Sequence, residues 1–198
     1  MPKVSQEHRD ARREQILSAA KRCFLRDGFQ ATSMQDLFAE SGLSSGSFYR
    51  YFENKDDVIA AIAEENLLVV TAMVRDLVIA DPGRPPGEAL AAVLEMVQRR
   101  NRENHLGAMA VLTWAEALRS PALRDRFTDS LGRMRRDLAR LLAAHQAEGR
   151  LPADADPAAL AKLFMAVVPG AILQLALFGE RDLNGVPAAA RAMWGLPA

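Results

Sequence analysis

Residues 33–52 hold two short helical patterns that meet at Gly42, and this corner restricts the folds open to the chain more than any other stretch. Ser33 and Asp36 have the spacing of a capping box, in which the hydroxyl accepts from an unpaired N–H of the first turn and the carboxylate favours the positive end of the helix dipole. Met34, Leu37, Phe38 and the small Ser41 recur at i, i+3, i+4 and i+7, so one stripe faces inward while Gln35 and Glu40 stay in water. Gly42 supplies the positive φ that stops the first helix and turns the chain. Ser44 is placed to cap a second helix on which Phe48 and Phe52 share a face. Ser45, Ser47, Tyr49 and Arg50 fall on its other faces. Such a surface suits a DNA major groove, where small residues allow close approach, hydroxyls bond phosphates or base edges, and Arg reaches guanine. The same residues also fit a plain helical hairpin with capping serines.

The flanks narrow that choice. Over residues 7–26, Ile16, Ala20, Cys23 and Phe24 share one helical face; Gly28 is expected to end this helix and Phe29 to fold back beneath it. Asn54 caps a long helix expected to reach residue 79, whose apolar positions, from Val58 and Ile62 through Leu67, Leu68 and Leu77, drift around the axis as in a connector between layers. The prolines and glycines of residues 81–87 mark the clearest loop. Further helical patterns cover residues 88–102, 105–119, 121–147, 158–178 and 187–194. Ser120 with Pro121, and Asp156 with Pro157, each read as an N-cap followed by proline at the first helical position. No strand-type alternation occurs, so the predicted class is all-α: a three-helix helix-turn-helix domain over residues 1–54 and a larger helical domain over 55–198.

Charge enters only locally. Lys plus Arg equals Asp plus Glu at 25 each, so the whole chain carries no basic field for nucleic acid. Residues 1–26 hold seven basic against three acidic side chains, a plausible phosphate-facing arm that is equally a solvated helix face, whereas residues 27–60 hold two against six. Cys23 is the single cysteine, which excludes an internal disulfide. The charged N-terminus carries no cleavable signal, and the expected compartment is the cytoplasm. The apolar run 163–179 is interrupted by Pro169, Gly170 and Gln174 and reads as a buried or subunit-interface helix rather than a membrane span.

In this order the residues resemble a known family. Gln15, Ile16, Leu17, Ser18, Ala19, Ala20, Phe24, Asp27, Gly28, Phe29, Ala31, Thr32, Ser33, Asp36, Leu37, Gly42, Leu43, Ser44, Gly46, Ser47, Phe48, Tyr49, Tyr51, Phe52, Asn54 and Lys55 stand in the register of the DNA-binding domain of the TetR family of bacterial transcriptional regulators. The resemblance implies a homodimer whose recognition helices enter successive major grooves of a near-palindromic double-stranded DNA operator. It also implies release by a small apolar or amphipathic effector bound in the C-terminal domain, with neither cofactor nor metal and no enzymatic activity. By position, Ser45, Gly46 and Ser47 approach base edges; Thr32, Ser33, Tyr49, Tyr51 and Lys55 hold phosphates; Ser44 caps the recognition helix. Loss of Lys55 is then expected to weaken operator binding and lower its salt dependence. Two residues depart from the family pattern: Phe38 replaces a small Ala at the helix crossing, and Ser45 replaces a common Lys.

Beyond the motif only composition speaks. Met73, Leu77, Met109, Trp114, Met134, Phe164 and Val168 are candidates for an apolar effector pocket, with Asn101, His105, Glu116 or Gln174 as polar contacts. Leu163, Val167, Ala171 and Leu175, with Met193 and Trp194, are the candidate dimer face. A helix-turn-helix regulator governed by a protein partner, or by no effector, is the alternative. A helical-bundle enzyme is disfavoured, because no Glu-x-x-His pair or phosphate-binding glycine pattern is present and His8, His105 and His145 are scattered.

Overall fold

The computed structural model describes residues 6–194, with side chains through Met193; Lys3 of the basic arm and the Trp194 side chain lie outside the described residues. The chain divides into two compact units, Met1–Glu65 and Asn66–Ala198. The division falls later than residue 54 because Val58, Ile59 and Ile62 are buried and Lys21 pairs with Glu65 at 2.7 Å.

The first unit follows its local signals closely. Helix α1 (Gln6–Ala31) consists of two helical pieces that meet at Gly28, whose non-helical φ of 79° and ψ of 167° stop the first piece where the sequence places its end. Phe29 then meets Phe24 edge-on, with ring centroids 4.7 Å apart. Helix α2 (Met34–Ser41) opens on the capping box: the Asp36 amide donates to Ser33 Oγ at 3.2 Å and the Ser33 amide to Asp36 Oδ2 at 2.8 Å. Gly42 closes it in the left-handed region at φ 68°, a conformation that strains any residue bearing a Cβ. Helix α3 (Ser45–Phe48) is one turn long, and the chain then continues as turns to Phe52, whose amide donates to Phe48 O at 3.3 Å. The bulky Phe38 is accommodated by repacking: its ring meets Phe48 at 5.0 Å and Tyr49 at 5.4 Å, both edge-on. Gln15 of α1 donates to Ser41 O at 2.7 Å, which fixes the end of α2 against α1.

Helix α4 (Lys55–Val74) is capped by Asn54 Oδ1, which accepts from the Asp57 amide at 2.9 Å, and its end relaxes into a π-helical turn, Arg75–Ile79. The second unit adds α5 (Pro86–Asn104), α6 (Leu106–Arg119), α7 (Pro121–Ala147), α8 (Pro157–Phe178), a short 3-10 turn (Glu180–Leu183) and α9 (Val186–Trp194). Helix α5 starts inside the predicted loop, because Pro86 serves as its first helical residue. A Cβ on Gly87 would lie 2.9 Å from Ala190 O, so glycine permits the close approach of α9, which Arg191 secures by pairing with Glu88 and Glu95. Leu90, Leu94, Leu138, Ile172 and Leu183 are fully buried at the centre, each contributing about 1.5–3 kcal/mol of transfer free energy. Among the described residues one helix, α8, is long and apolar enough to cross a membrane by length and composition. Its stripe of Ala161, Phe164, Val168, Ala171, Ile172 and Leu175 is buried in this unit.

Candidate nucleic-acid interface and effector cavity

The corner around Gly42 exposes fewer of the predicted DNA contacts than the motif suggests. Ser44 Oγ accepts from the Ser47 amide at 3.3 Å and donates to Ser47 Oγ at 3.0 Å, so these two hydroxyls are occupied in capping α3. Ser45, Gly46, Tyr49 and Arg50 face solvent, and the position a Gly46 Cβ would take is open space. Tyr49 is 49% exposed although its ring meets Phe38 at 5.4 Å, so its setting depends on the unusual Phe38. Tyr51 and Ser47 are half-buried.

Three predicted phosphate contacts have other partners. Thr32 is buried, 1% exposed, and its hydroxyl donates to Gly28 O at 2.8 Å, bridging the kink in α1. Ser33 is exposed, but its hydroxyl donates to Asp36 Oδ2 at 2.7 Å; these bonds from Ser33 hold the Asp36 carboxyl below its ordinary pKa. Lys55 Nζ reaches three backbone carbonyls, Phe29 O at 2.7 Å, Thr32 O at 2.9 Å and Gln30 O at 3.4 Å. An ammonium has three protons, so Lys55 closes the end of α1 rather than projecting a free cation. Sequence spacing alone does not reveal this, because the bond joins residues more than twenty positions apart.

The second unit encloses a cavity of about 280 Å³, close to the lower end of typical ligand pockets. Its walls come from α4 (Asn66, Leu67, Val70, Val74), α6 (Ala110, Thr113, Trp114), α7 (Phe127, Leu131, Met134, Leu138) and α8 (Phe164, Met165, Val168, Pro169, Ile172). Trp114, Met134, Phe164 and Val168 were expected there; the other predicted pocket residues are elsewhere. Met73 and Met109 are packed in the interior, at 6% and 2% exposure, and Leu77 packs against the core. Asn101 Oδ1 accepts from the Gly107 amide at 2.9 Å and His105 takes a left-handed φ of 55° at the α5–α6 junction, so both shape that turn. Gln174 is exposed, and Glu116 does not line the cavity. The polar groups missed are Asn66 and Thr113, whose own helices present them as unremarkable positions.

On α8 the predicted dimer residues separate. Leu163 is 52% exposed and Val167 half-buried, whereas Ala171 and Leu175 lie at 3% exposure on the opposite stripe, within their own unit. Leu173, Leu177 and Phe178 are exposed instead, as is Met193 on α9. The 3.6-residue period places 163, 170, 173 and 177 on one side and 161, 164, 168, 171 and 175 on the other.

A profile described as "Bacterial regulatory proteins, tetR family" matches residues 16–62, and one described as "BetI-type transcriptional repressor, C-terminal" matches residues 85–193. Over 66 residues the chain is 46% identical to the HTH-type transcriptional regulator YfiR of Bacillus subtilis, a match covering 33% of this chain and 32% of that protein. It is 33% identical over 66 residues to the HTH-type transcriptional repressor AcnR of Corynebacterium diphtheriae, covering 33% and 35%. The chain thus spans about a third of the length of these curated relatives. Among solved structures, GusR of Salmonella enterica superposes with a TM-score of 0.73 at 26% identity, over 98% of this chain and 97% of that one. FadR of Bacillus subtilis, solved in complex with stearoyl-CoA, superposes with a TM-score of 0.70 at 19% identity over 91% and 96%, a likeness of fold.

Proposed function

The chain belongs to the tetR family of bacterial regulatory proteins, and from that premise we propose that it is a dimeric, cytoplasmic transcriptional repressor released from its operator by a small, largely apolar effector. The observation that carries the DNA-reading half is the solvent-facing edge formed by Ser45, Gly46, Tyr49 and Arg50, left open because Ser44, Ser47, Phe48 and Phe52 are turned to capping and packing. In the absence of a basic field, Arg50 supplies the charge and the small residues allow close approach to the groove. The BetI-type C-terminal match supports repression, and the cavity supports a ligand.

Helix α4 starts at Lys55 and reaches Val74 in the cavity wall, so it is the element through which occupancy of the cavity biases the reader. Such coupling requires that the effector bind the DNA-incompetent arrangement more tightly, and reciprocally that DNA weaken effector binding. For the dimer we assign the outer face of α8, Leu163, Leu173, Leu177 and Phe178, with Met193, since large apolar side chains left this exposed favour a partner over water.

The test is footprinting on DNA flanking the gene, together with sedimentation of the free protein. Protection of a near-palindrome with half-sites about one helical turn apart, by a species of twice the chain mass, is expected. A monomer, or protection without two-fold symmetry, would refute the reading.

A further inference from the structure

The cavity has a sharply defined chemistry. None of its lining residues is Asp, Glu, Lys, Arg or His, so an ion placed inside loses its hydration without gaining a counter-charge. Its polar side chains are ordered by a short chain of hydrogen bonds. The Thr113 hydroxyl, 1% exposed, donates its single proton to Met109 O at 2.8 Å. Its lone pairs then face Asn66, which turns its amide nitrogen toward Thr113 at 3.4 Å. The orientation of the amide follows from this sequence of donors, because a hydroxyl whose proton is committed only accepts. Asn66 Oδ1 is left as an acceptor without a partner among the described residues. A second acceptor arises on α8: Pro169 has no N–H, so the Met165 carbonyl loses its usual helical donor, and both residues line the cavity. Trp114 adds one indole donor to the wall.

Resting on the effector reading above, we propose that the cavity selects an uncharged, mainly hydrocarbon molecule carrying a hydroxyl, which donates to Asn66 Oδ1. Asn66 is then the residue that determines effector specificity, and because it is on α4 the recognition occurs on the helix that begins at Lys55. The competing ligand class is an anionic amphipath. A groove lined by Arg75, Arg133, Ser130 and Asp137 shares Val74 and Met134 with the cavity wall. It carries both signs of charge, and Arg75 is already paired with Asp76 at 3.1 Å while Arg133 donates to Ser130 at 3.1 Å, so it offers no dedicated anion site.

The experiment titrates the full-length protein with 1-octanol, octyl methyl ether and octanoate at pH 8, following Trp fluorescence and calorimetry. In the wild type the alcohol is expected to bind about fivefold to tenfold more tightly than the ether, the yield of one neutral hydrogen bond, and octanoate at least tenfold more weakly than the alcohol. Asn66→Leu removes the acceptor and brings alcohol and ether within about twofold of each other. Thr113→Val keeps the shape of the wall but frees the Asn66 amide to turn, and reduces the preference less. Cooperative melting of each variant verifies its fold, and if Asn66→Leu does not fold, Thr113→Val alone decides. An octanoate affinity equal to that of the alcohol, or an alcohol-to-ether ratio unchanged by either folded variant, overturns the proposal while leaving an effector site intact. Failure of all three probes to bind overturns the effector reading as well.

Discussion

Phe48 and Trp114 are both large aromatics on helices, and their surroundings differ in a way that separates the two units. Phe48 is fully buried and touches Phe38 and Phe52, within a cluster whose members were all placed by short-range spacing. Trp114 is half-buried and borders a cavity walled by four helices. The first unit thus uses its aromatic residues to hold one shape, which suits the fixed register on DNA proposed for it. The second unit leaves apolar surface uncovered at its centre, a stability loss that a ligand can recover by binding.

This contrast is most strongly tested by truncating both rings. Phe48→Ala should destabilise the first unit by about 4 kcal/mol, whereas Trp114→Ala should cost about 2 kcal/mol or less, since part of its surface already faces a void. Urea titration resolves the two because both tyrosines, Tyr49 and Tyr51, are in the first unit and both tryptophans in the second. Equal costs would break the comparison.

Next in size is Lys55→Met, expected to cost about 2 kcal/mol by stranding carbonyls at the end of α1, without changing the salt slope of operator binding. A slope reduced by about one would restore Lys55 as a phosphate contact. Arg50→Ala should weaken operator binding by about 1–2 kcal/mol in anisotropy titrations while leaving the unfolding midpoint and octanol affinity unchanged. That separation would sharpen the division of labour between the units.

The smallest effect depends on pH. His145 of α7 is buried at 1% exposure, its Nδ1 lies 3.1 Å from Arg150 Nη1, and its Nε2 has no partner among the described residues. Burial, and then the Arg150 charge, push its pKa below the ordinary histidine value, outweighing the opposing pull of Glu148. The unfolded chain therefore takes up a proton that the folded chain refuses, and stability falls as pH drops below about 6.5, by at most about 1.4 kcal/mol per pH unit. The tryptophan-reported transition should show this slope and the tyrosine-reported one should not. His145→Gln, which retains an acceptor for Arg150, should flatten it.

How far each feature was legible depends on the distance over which its cause acts. The Ser33 capping box, the Gly42 turn, the Ser44, Asn54, Ser120 and Asp156 caps, and the apolar stripe of α2 arise among residues two to four apart, and each is found where spacing predicts. Gly28 likewise stops the first helical run of α1 with a positive φ, and the short piece that follows it to Ala31 is what local spacing does not predict. Lys55 and Thr32 were assigned to phosphate by their place in a motif, and only packing reveals the carbonyls they serve.

The amino-acid order by itself thus determined an all-α chain, a helix-turn-helix corner and the family to which both belong, because helix periodicity and capping are local physics. Tertiary structure alone decided which hydroxyls remain free on the reader, which side of α8 faces outward, and that Asn66 rather than Asn101 or Gln174 meets the cavity. A cavity is what four helices fail to fill together, and no single helix carries that information in its sequence.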